Sequence, residues 1–330
     1  MAAEDILSFL AGGEWVSGEE MAKRLSVSRA AVWKQIKSLR KKGYEISSST
    51  RKGYRLTRNP DFLDADRIKG SLKTGWLGRD LRILAEVSST NEEALSRIRD
   101  CHNGTVILAE VQLKGRGRLC RPWSSPPGGI WMSIVLMPNI PLSQVYRINM
   151  AVAVALCRAI QSELGLVAGI KWPNDLLIGE RKICGILMEI GAQVDRLDYA
   201  VVGIGLNVNN DDFNFPSGCS ATTLFAQLGR SIDRCDLIAR ILEEMEAAIE
   251  EMNSDAIHEE WRSRSLTLNQ QVKISSVEGD MLGEVVDLAE DGALLLRQGE
   301  KLKRILAGDC IHLRPAKAPG ASATIVDEGG

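Results

Sequence analysis

The stretch that most constrains this chain is Lys114-Gly-Arg-Gly-Arg-Leu-Cys-Arg-Pro-Trp123, which continues through Ser124-Ser125-Pro126-Pro127-Gly128-Gly129. Its glycines and prolines rule out a regular helix or strand. Apolar runs of strand length flank it, Thr105 to Val111 before and Ile130 to Leu136 after. It therefore reads as a long, mobile connection between two strands, and connections of that length in compact domains are functional or unstructured. Arg116, Arg118 and Arg121 lie in it with no acid among them. Guanidinium groups bind phosphate and carboxylate through paired hydrogen bonds. A loop that closes three of them over a site suits that chemistry, although a solvated basic loop would have the same composition.

Two more motifs follow, Lys171-Trp172-Pro173-Asn174-Asp175 and Arg181-Lys182-Ile183-Cys184-Gly185-Ile186-Leu187. Together with Gly115-Arg116-Gly117-Arg118 ahead of Trp123 and Ser125-Pro126, they resemble the biotin protein ligases. With the basic N-terminal segment described below, residues 15 to 315 or so resemble the bacterial bifunctional biotin ligases that also repress the biotin operon. Three motifs in the right order make that resemblance more specific than any one of them.

A chain of 330 residues exceeds one modest core and implies two or three domains. No apolar run approaches the ~18 residues that a membrane helix needs, and no signal-peptide pattern opens the sequence. A cytoplasmic protein without membrane attachment is expected. Seven cysteines, with no Cys-x-x-Cys pair, argue for reduced thiols and against a disulfide framework or a zinc site. His102, His258 and His312 are isolated from one another, so a histidine base is not expected. Charge is uneven: residues 1–60 carry 12 Lys+Arg against 6 Asp+Glu, and the remaining 270 carry 29 against 37. A basic head on an acidic body points to nucleic acid at the N-terminus alone.

That head reads as a winged helix. Asp5 to Leu10 is a short helix, and Ser17-Gly-Glu-Glu20 is a capping box that opens a second helix through Leu25. Ser28 caps a third, which runs to Lys42 and stops at Gly43, with Val32, Ile36 and Leu39 as its buried stripe. Tyr44 to Ile46 and Tyr54 to Leu56 form a hairpin, the wing. Ser28, Arg29, Trp33, Lys34 and Lys37 on the helix, with Arg51 and Lys52 on the wing, are the candidate DNA contacts. A small basic protein-interaction domain is the alternative.

Asn59-Pro60-Asp61 marks a linker. Beyond it are a strand at Arg82 to Val87, a helix capped within Ser88-Ser-Thr-Asn91 that runs through Arg99, and long helices at Ser143 to Leu164 and Asp236 to Met252. Apolar runs of strand length cover Ile183 to Ile190 and Tyr199 to Val208. From Leu268 short strands at 271–275, 281–287, 293–296, 303–306 and 310–313 predict a small barrel-like module. The expected boundaries are 1–62 for the winged helix-turn-helix, 63–267 for the catalytic domain, 268–315 for the β-module and 316–330 for a disordered tail. The class is α+β multidomain, and the resemblance implies a mixed α/β, class II synthetase-like ligase core followed by an SH3-like barrel.

No Walker A pattern occurs, and Gly115-x-Gly117-x-x-Cys120 lacks the third glycine of a dinucleotide fingerprint. The cations suit acyl-adenylate formation, in which a carboxylate attacks the α-phosphate of ATP and both anions need neutralising. The resemblance implies that Ser89, Thr90, Asn91 and Gln112 hold the biotin ring, with Arg116, Gly117, Arg118 and Lys182 along its acid arm. Without the resemblance, Ser89 to Asn91 read as a helix cap. Arg118, Arg121, Trp123, Lys171, Asp175 and Asn207 are the ATP candidates, and Lys182, Arg118 and Asp175 are the catalytic ones. ATP, Mg²⁺ and biotin are the expected cofactors and substrate, with Asp175 and Asn207 as candidate Mg²⁺ or phosphate ligands and no resident metal site. Expected partners are a biotin carboxyl carrier protein, operator DNA and a second copy of the chain. The family pattern has glycine at the place of Cys120 and often a basic residue at that of Leu119. Two other functions fit the same residues: a biotin-responsive transcription factor without ligase activity, and a ligase for a related acid such as lipoate.

Overall fold

Two serines set where the N-terminal helices begin. In the computed structural model, which describes residues 3–10, 12–41, 44–58, 61–193, 195–210, 220–276 and 279–313, Ser17 Oγ accepts from Glu20 N–H at 3.0 Å and Ser28 Oγ from Ala31 N–H at 3.1 Å. Helices α1 (Ala3–Leu10), α2 (Gly18–Arg24) and α3 (Arg29–Lys41) precede an antiparallel hairpin, β1 (Glu45–Ser49) and β2 (Gly53–Arg58). Val32, Ile36 and Leu39 of α3 are buried with Ile6, Leu10, Met21 and Ile46 in one core, as the stripe on α3 predicted. The Arg40 guanidinium binds the Ile46 carbonyl at 2.6 and 3.0 Å, fixing α3 to the hairpin. The helix stop at Gly43, the Asn59-Pro60 part of the linker and the tail 316–330 lie outside the described residues.

The chain gathers into two compact units that divide between Leu63 and Asp64. In the second, α4 (Ala65–Ser71) is capped by the Asp64 carboxylate. There follow β3 (Leu81–Val87), α5 (Thr90–Ser96), β4 (Val106–Gln112), β5 (Ile130–Leu136) and α6 (Val145–Leu164). Gly165, left-handed at φ 70°, ends α6. Next come β6 (Gly169–Lys171), β7 (Asp175–Ile178), β8 (Arg181–Gln193) and β9 (Arg196–Leu206), then α7 (Leu224–Leu228), α8 (Arg234–Glu250) and α9 (Asp255–Ser263). The sheet order is β3-β4-β5-β9-β8-β7-β6, parallel only between β3 and β4. Helix α5 lies over β4, β5 and β9, and α6 packs on α8 and α9. Central strand β5 is buried along its whole length, which is why it reads as a continuous apolar run rather than an alternating one.

The sequence missed β6 and β7, whose three and four residues are too short to show a period. The helix expected to reach Arg99 stops at Ser96 and tightens into a 3-10 turn at Ile98–Asp100. Strand β8 runs well past Ile190 because β9 pairs with it as far as Gln193. Five C-terminal strands, β10 (Gln271–Ser276), β11 (Gly279–Leu288), β12 (Leu294–Gln298), β13 (Lys301–Ile305) and β14 (Asp309–His312), stand where five were expected. They form an antiparallel sheet in the order β13-β12-β11-β10-β14.

Candidate active site

A cavity of about 620 Å³ opens between β8, β9, the loop after β4 and the C-terminal strand β14. Ser89, Thr90, Asn91, Gln112, Arg116, Gly117, Arg118, Arg121, Trp123, Lys171, Asp175, Lys182 and Asn207 all line it. Residues more than a hundred positions apart therefore meet at one place. The arginine loop is folded rather than open. Ladder fragments close its base, with Trp123 N–H on the Gly115 carbonyl at 2.8 Å and Gly117 N–H on the Arg121 carbonyl at 2.8 Å. Its tip is a 3-10 turn in which Leu119 and Cys120 are both left-handed, at φ 55° and 56°. Only glycine adopts that region freely.

One end of the cavity is a hydrogen-bonded floor. Ser89 occupies the N-cap position of α5, yet its side chain makes no cap bond. Simple helix capping therefore does not account for Ser89 to Asn91. Gln112 Oε1 accepts the Thr90 N–H at 2.8 Å, and Gln112 Nε2 donates to Ser125 Oγ at 2.9 Å. Asn91 Nδ2 donates to Glu189 Oε2 at 2.8 Å, while Ser133 Oγ lies 2.6 Å from Asn91 Oδ1. A Cβ at Gly203 would run into the Asn91 carboxamide, so glycine there lets the amide lie flat on β9.

The other end is cationic. Lys182 Nζ pairs with Asp175 Oδ1 at 2.6 Å and lies 4.9 Å from the centroid of the Trp123 ring. That ring rests on the two central strands at Gly185 and Gly205, where any side chain would meet it. The buried Trp123 Nε1–H has no hydrogen-bond partner. Such an orphan donor is costly unless a ligand supplies an acceptor. Arg116 pairs with Glu189 at 3.0 Å. Arg118 donates to the Gly308 carbonyl at 3.0 Å, and Arg121 makes a two-pronged pair with Asp309 at 2.7 and 3.1 Å. That guanidinium holds the Asp309 carboxyl below the usual carboxylate range.

The segment Lys171 to Asp175 is fixed from both sides. The Trp172 indole N–H donates to the Gly292 carbonyl at 2.9 Å, and the Trp172 backbone N–H to Thr267 Oγ1 at 3.0 Å. The Pro173 carbonyl accepts from Asn149 Nδ2 at 3.1 Å. His312 Nε2 lies 3.0 Å from Thr267 Oγ1, and burial, with nearby Lys171, pushes His312 down to about 4. It is neutral near pH 7. Asn207 lines the cavity but spends its carboxamide elsewhere, donating to the Thr222 carbonyl at 3.2 Å and accepting from Asn210 at 3.4 Å. Among the described residues no three His, Cys, Asp or Glu side chains gather as a metal cluster.

The central part matches the Biotin/lipoate A/B protein ligase family over residues 84–207, and the final strands match the Biotin protein ligase C terminal domain over 267–313. Residues 3–55 match an HTH domain. The bifunctional ligase/repressor BirA of Bacillus subtilis is 37% identical over 306 residues, 91% of this chain and 94% of that protein. The chain belongs to the bifunctional biotin ligase/repressor family. The Escherichia coli BirA is 30% identical over 94% of this chain and 97% of its own length. Among solved structures, the biotin protein ligase from Aquifex aeolicus in complex with biotin and ATP superposes with a TM-score of 0.62. That match has 30% identity and covers 72% of this chain and all of the other.

The ligase/repressor architecture carries a second candidate surface on the N-terminal unit. Ser28, Arg29, Trp33, Lys34, Lys37, Arg51 and Lys52 are all exposed. Lys37 lies over the Trp33 ring at 5.2 Å, and Arg55 over Trp15 at 5.2 Å. Sequence alone did not single out Asp309, which lines the cavity, or Ser133 and Glu189, which hold Asn91 from behind it. Ser133 was readable as the lone hydroxyl in an apolar strand, and Glu189 as an acid interrupting another. Nothing local marks Asp309. No helix among the described residues is long and apolar enough to cross a membrane.

Proposed function

We propose that this chain activates biotin with ATP and transfers it to a lysine of a carboxyl carrier protein. In the same proposal it represses transcription as a dimer when it holds the adenylate. The observation that carries the ligase half is the meeting of three arginines, Lys171, Lys182 and a hydrogen-bonded floor around one cavity. The floor at Ser89 to Asn91 and Gln112 suits the ureido ring. The acid arm then points along Arg116, Gly117 and Arg118 towards Lys182. Arg118, Arg121 and Lys171 take the phosphates, and the Trp123 indole offers a stacking face for the adenine with its N–H free for an acceptor. Mg²⁺ fits as the counter-ion that ATP brings, since Mg²⁺ is held by one or two carboxylates plus substrate phosphates, and Asp175 supplies such an oxygen. Asn207 lines the same cavity and is a further candidate for the phosphates or Mg²⁺, with its carboxamide also donating to Thr222 and accepting from Asn210.

The reaction then runs in two steps. A carboxylate oxygen of biotin attacks the α-phosphorus, and pyrophosphate leaves. Lys182 and Arg118 neutralise charge at the reacting oxygens, which is where preorganised donors contribute most. The mixed anhydride needs shielding from water, and the folded arginine loop supplies it. The carrier lysine then attacks the anhydride carbonyl, AMP leaves, and Asp175, 2.6 Å from Lys182, is placed to take the amine proton.

For repression, the exposed basic face of α3 and the wing enters operator DNA, and two protomers span two half-sites. The strand edge proposed for that dimer, within Ile183 to Ile190, is narrowed by the pairing of β7 with Arg181 to Gly185. Among the described residues, the unpaired edge is the stretch of β8 beyond Ile186, where Ile190 is 45% exposed. Reduced cysteines suit a cytoplasmic setting. The deciding experiment is ATP–pyrophosphate exchange with biotin, lipoate and octanoate in parallel. Exchange with biotin alone is expected. Exchange with none of the three overturns the enzyme and leaves a regulator. Sedimentation equilibrium with and without biotin plus ATP, beside an operator footprint, tests the repressor half.

A further inference from the structure

The residues that face the ring end of the cavity do not act one by one. Strand β5 reads Ile-Trp-Met-Ser-Ile-Val-Leu, and its single hydroxyl, Ser133, is fully buried. Ser133 Oγ is 2.6 Å from Asn91 Oδ1 and 2.7 Å from Thr90 Oγ1. Asn91, itself 3% exposed, points its Nδ2 at Glu189 Oε2 (2.8 Å) and the Leu187 carbonyl (3.3 Å). Both of those partners only accept, so the amide nitrogen must face them and Oδ1 must face Ser133.

Counting protons fixes the rest. Oδ1 cannot donate, so the Ser133 hydroxyl donates to it. Serine has one such proton, so at the 2.7 Å contact the Thr90 hydroxyl must donate to Ser133. Gln112 Oε1 is then left to the Thr90 N–H at 2.8 Å, and its amide end reaches Ser125 at 2.9 Å. At the far end Glu189 Oε1 holds Arg116 at 3.0 Å. The chain of contacts therefore runs from Arg116 through Glu189, Asn91, Ser133, Thr90 and Gln112 to Ser125. It starts and finishes on the arginine loop and runs through the floor at Thr90, Asn91 and Gln112.

We propose that Ser133 and Glu189 are positioning residues for biotin activation, Ser133 by fixing which end of the Asn91 amide faces the ring and Glu189 by joining that amide to Arg116. Occupation of the ring site and closure of the loop are then one event. Polar networks of this kind are costly when partly satisfied, because each member fixes the next. The inference rests on the biotin-ligase reading of the site, and its test separates the two.

Glu189→Gln is the main variant. It keeps an acceptor for one neighbour but turns an amide N–H₂ against the other, which is itself a donor. Loss of one hydrogen-bond partner by the buried Asn91 amide corresponds to ~10-fold or more in binding. In steady-state adenylation, KM for biotin should rise at least ~10-fold with KM for ATP and kcat little changed. Glu189→Asp, which keeps the charge, should recover part of the loss. Ser133→Ala, checked for folding by its melting curve, should show the same split. A readout independent of chemistry is trypsin cleavage in the ligand-free protein after Lys114, Arg116 and Arg118 (Arg121 precedes proline). Glu189→Gln should be nicked several-fold faster than wild type, and Glu189→Asp less so. Wild-type nicking and wild-type biotin KM in a folded Glu189→Gln protein would overturn the proposal. So would equal losses in both KM values and kcat, which mark a general structural role. A wild-type protein inactive with biotin would overturn the ligase reading instead, while faster nicking would still support the tether.

Discussion

The two ends of the cavity hold their residues by different physics. At the ring end, buried and part-buried side chains sit in one connected chain of hydrogen bonds. At the phosphate end, cations are parked on protein acids at the rim, where the Arg121 side chain is 63% exposed and that of Asp309 30%. Exposed ion pairs contribute ~0–1 kcal/mol each, so an incoming phosphate can replace the acid at little cost. A buried hydrogen bond left unmade costs ~1–3 kcal/mol. In the proposed reading, the ring end is thus built to reject a ligand of the wrong pattern, and the phosphate end to exchange one anion for another.

The largest effect should come from Lys182, which belongs to the cationic end and, in the proposed reaction, faces the reacting centre. Lys182→Ala removes a cation where charge develops, typically worth ~10²–10³ in rate. The protein should fold normally, since the side chain is 29% exposed and, among the described residues, pairs with Asp175 and the Trp123 face. Pyrophosphate exchange measures it, and a wild-type rate in a folded variant would move the burden to the arginines.

Gly203→Ala strikes the ring end. The new Cβ would displace the Asn91 carboxamide and break the chain at its middle. A loss of ~10–100-fold in biotin affinity is expected from one displaced, buried hydrogen-bonding group, with ATP binding spared. Calorimetric titration with biotin alone checks it. Comparable weakening of ATP would show that the two ends are not separable.

Asp309→Asn strikes the phosphate end and should do less. Losing the partner of an exposed arginine is expected to change adenylate leakage by only ~2–5-fold, and less at high salt. Because Arg121 holds the folded Asp309 carboxyl below its ordinary value, its stabilising contribution is present above the unfolded pKa of ~3.9. It is lost only as pH falls through the lower folded value. The difference between variant and wild type should therefore be flat from pH 5 to 8, read as adenylate release by filter binding. A large, salt-independent effect would place Asp309 with the ring end.

The two ends were unequally legible in the sequence. Arg116, Arg118, Lys171 and Lys182 stood out because charge in glycine-rich or strand-end segments is visible locally. The roles of Asp309 and Gly308 depend on β14 arriving beside the loop, nearly two hundred residues later, and no local pattern encodes that. Ser89 to Asn91 looked like a helix cap because cap and pocket residues share a composition. Only the missing cap bond at Ser89 separates the two. Long strands and helices were found because their periods persist. Strands β6 and β7 were lost because three or four residues show none.

A predicted effect as small as that of Asp309→Asn tests the loop that joins both ends. Leu119 and Cys120 take left-handed backbone angles at its tip, a conformation that costs a non-glycine residue ~1–2 kcal/mol. Cys120 is exposed, so its side chain contributes little packing to offset that cost. Cys120→Gly should relieve the strain in the closed loop. Glycine also widens the open ensemble, at ~0.4–1 kcal/mol, so the two effects nearly cancel. A net gain of a few tenths to 1 kcal/mol corresponds to adenylate leaking ~2–5-fold more slowly. Pulse-chase release of labelled adenylate measures this directly. Faster leakage would mean that the open state's entropy outweighs the strain, and that closure at this tip is limited by flexibility rather than by the backbone angle of Cys120.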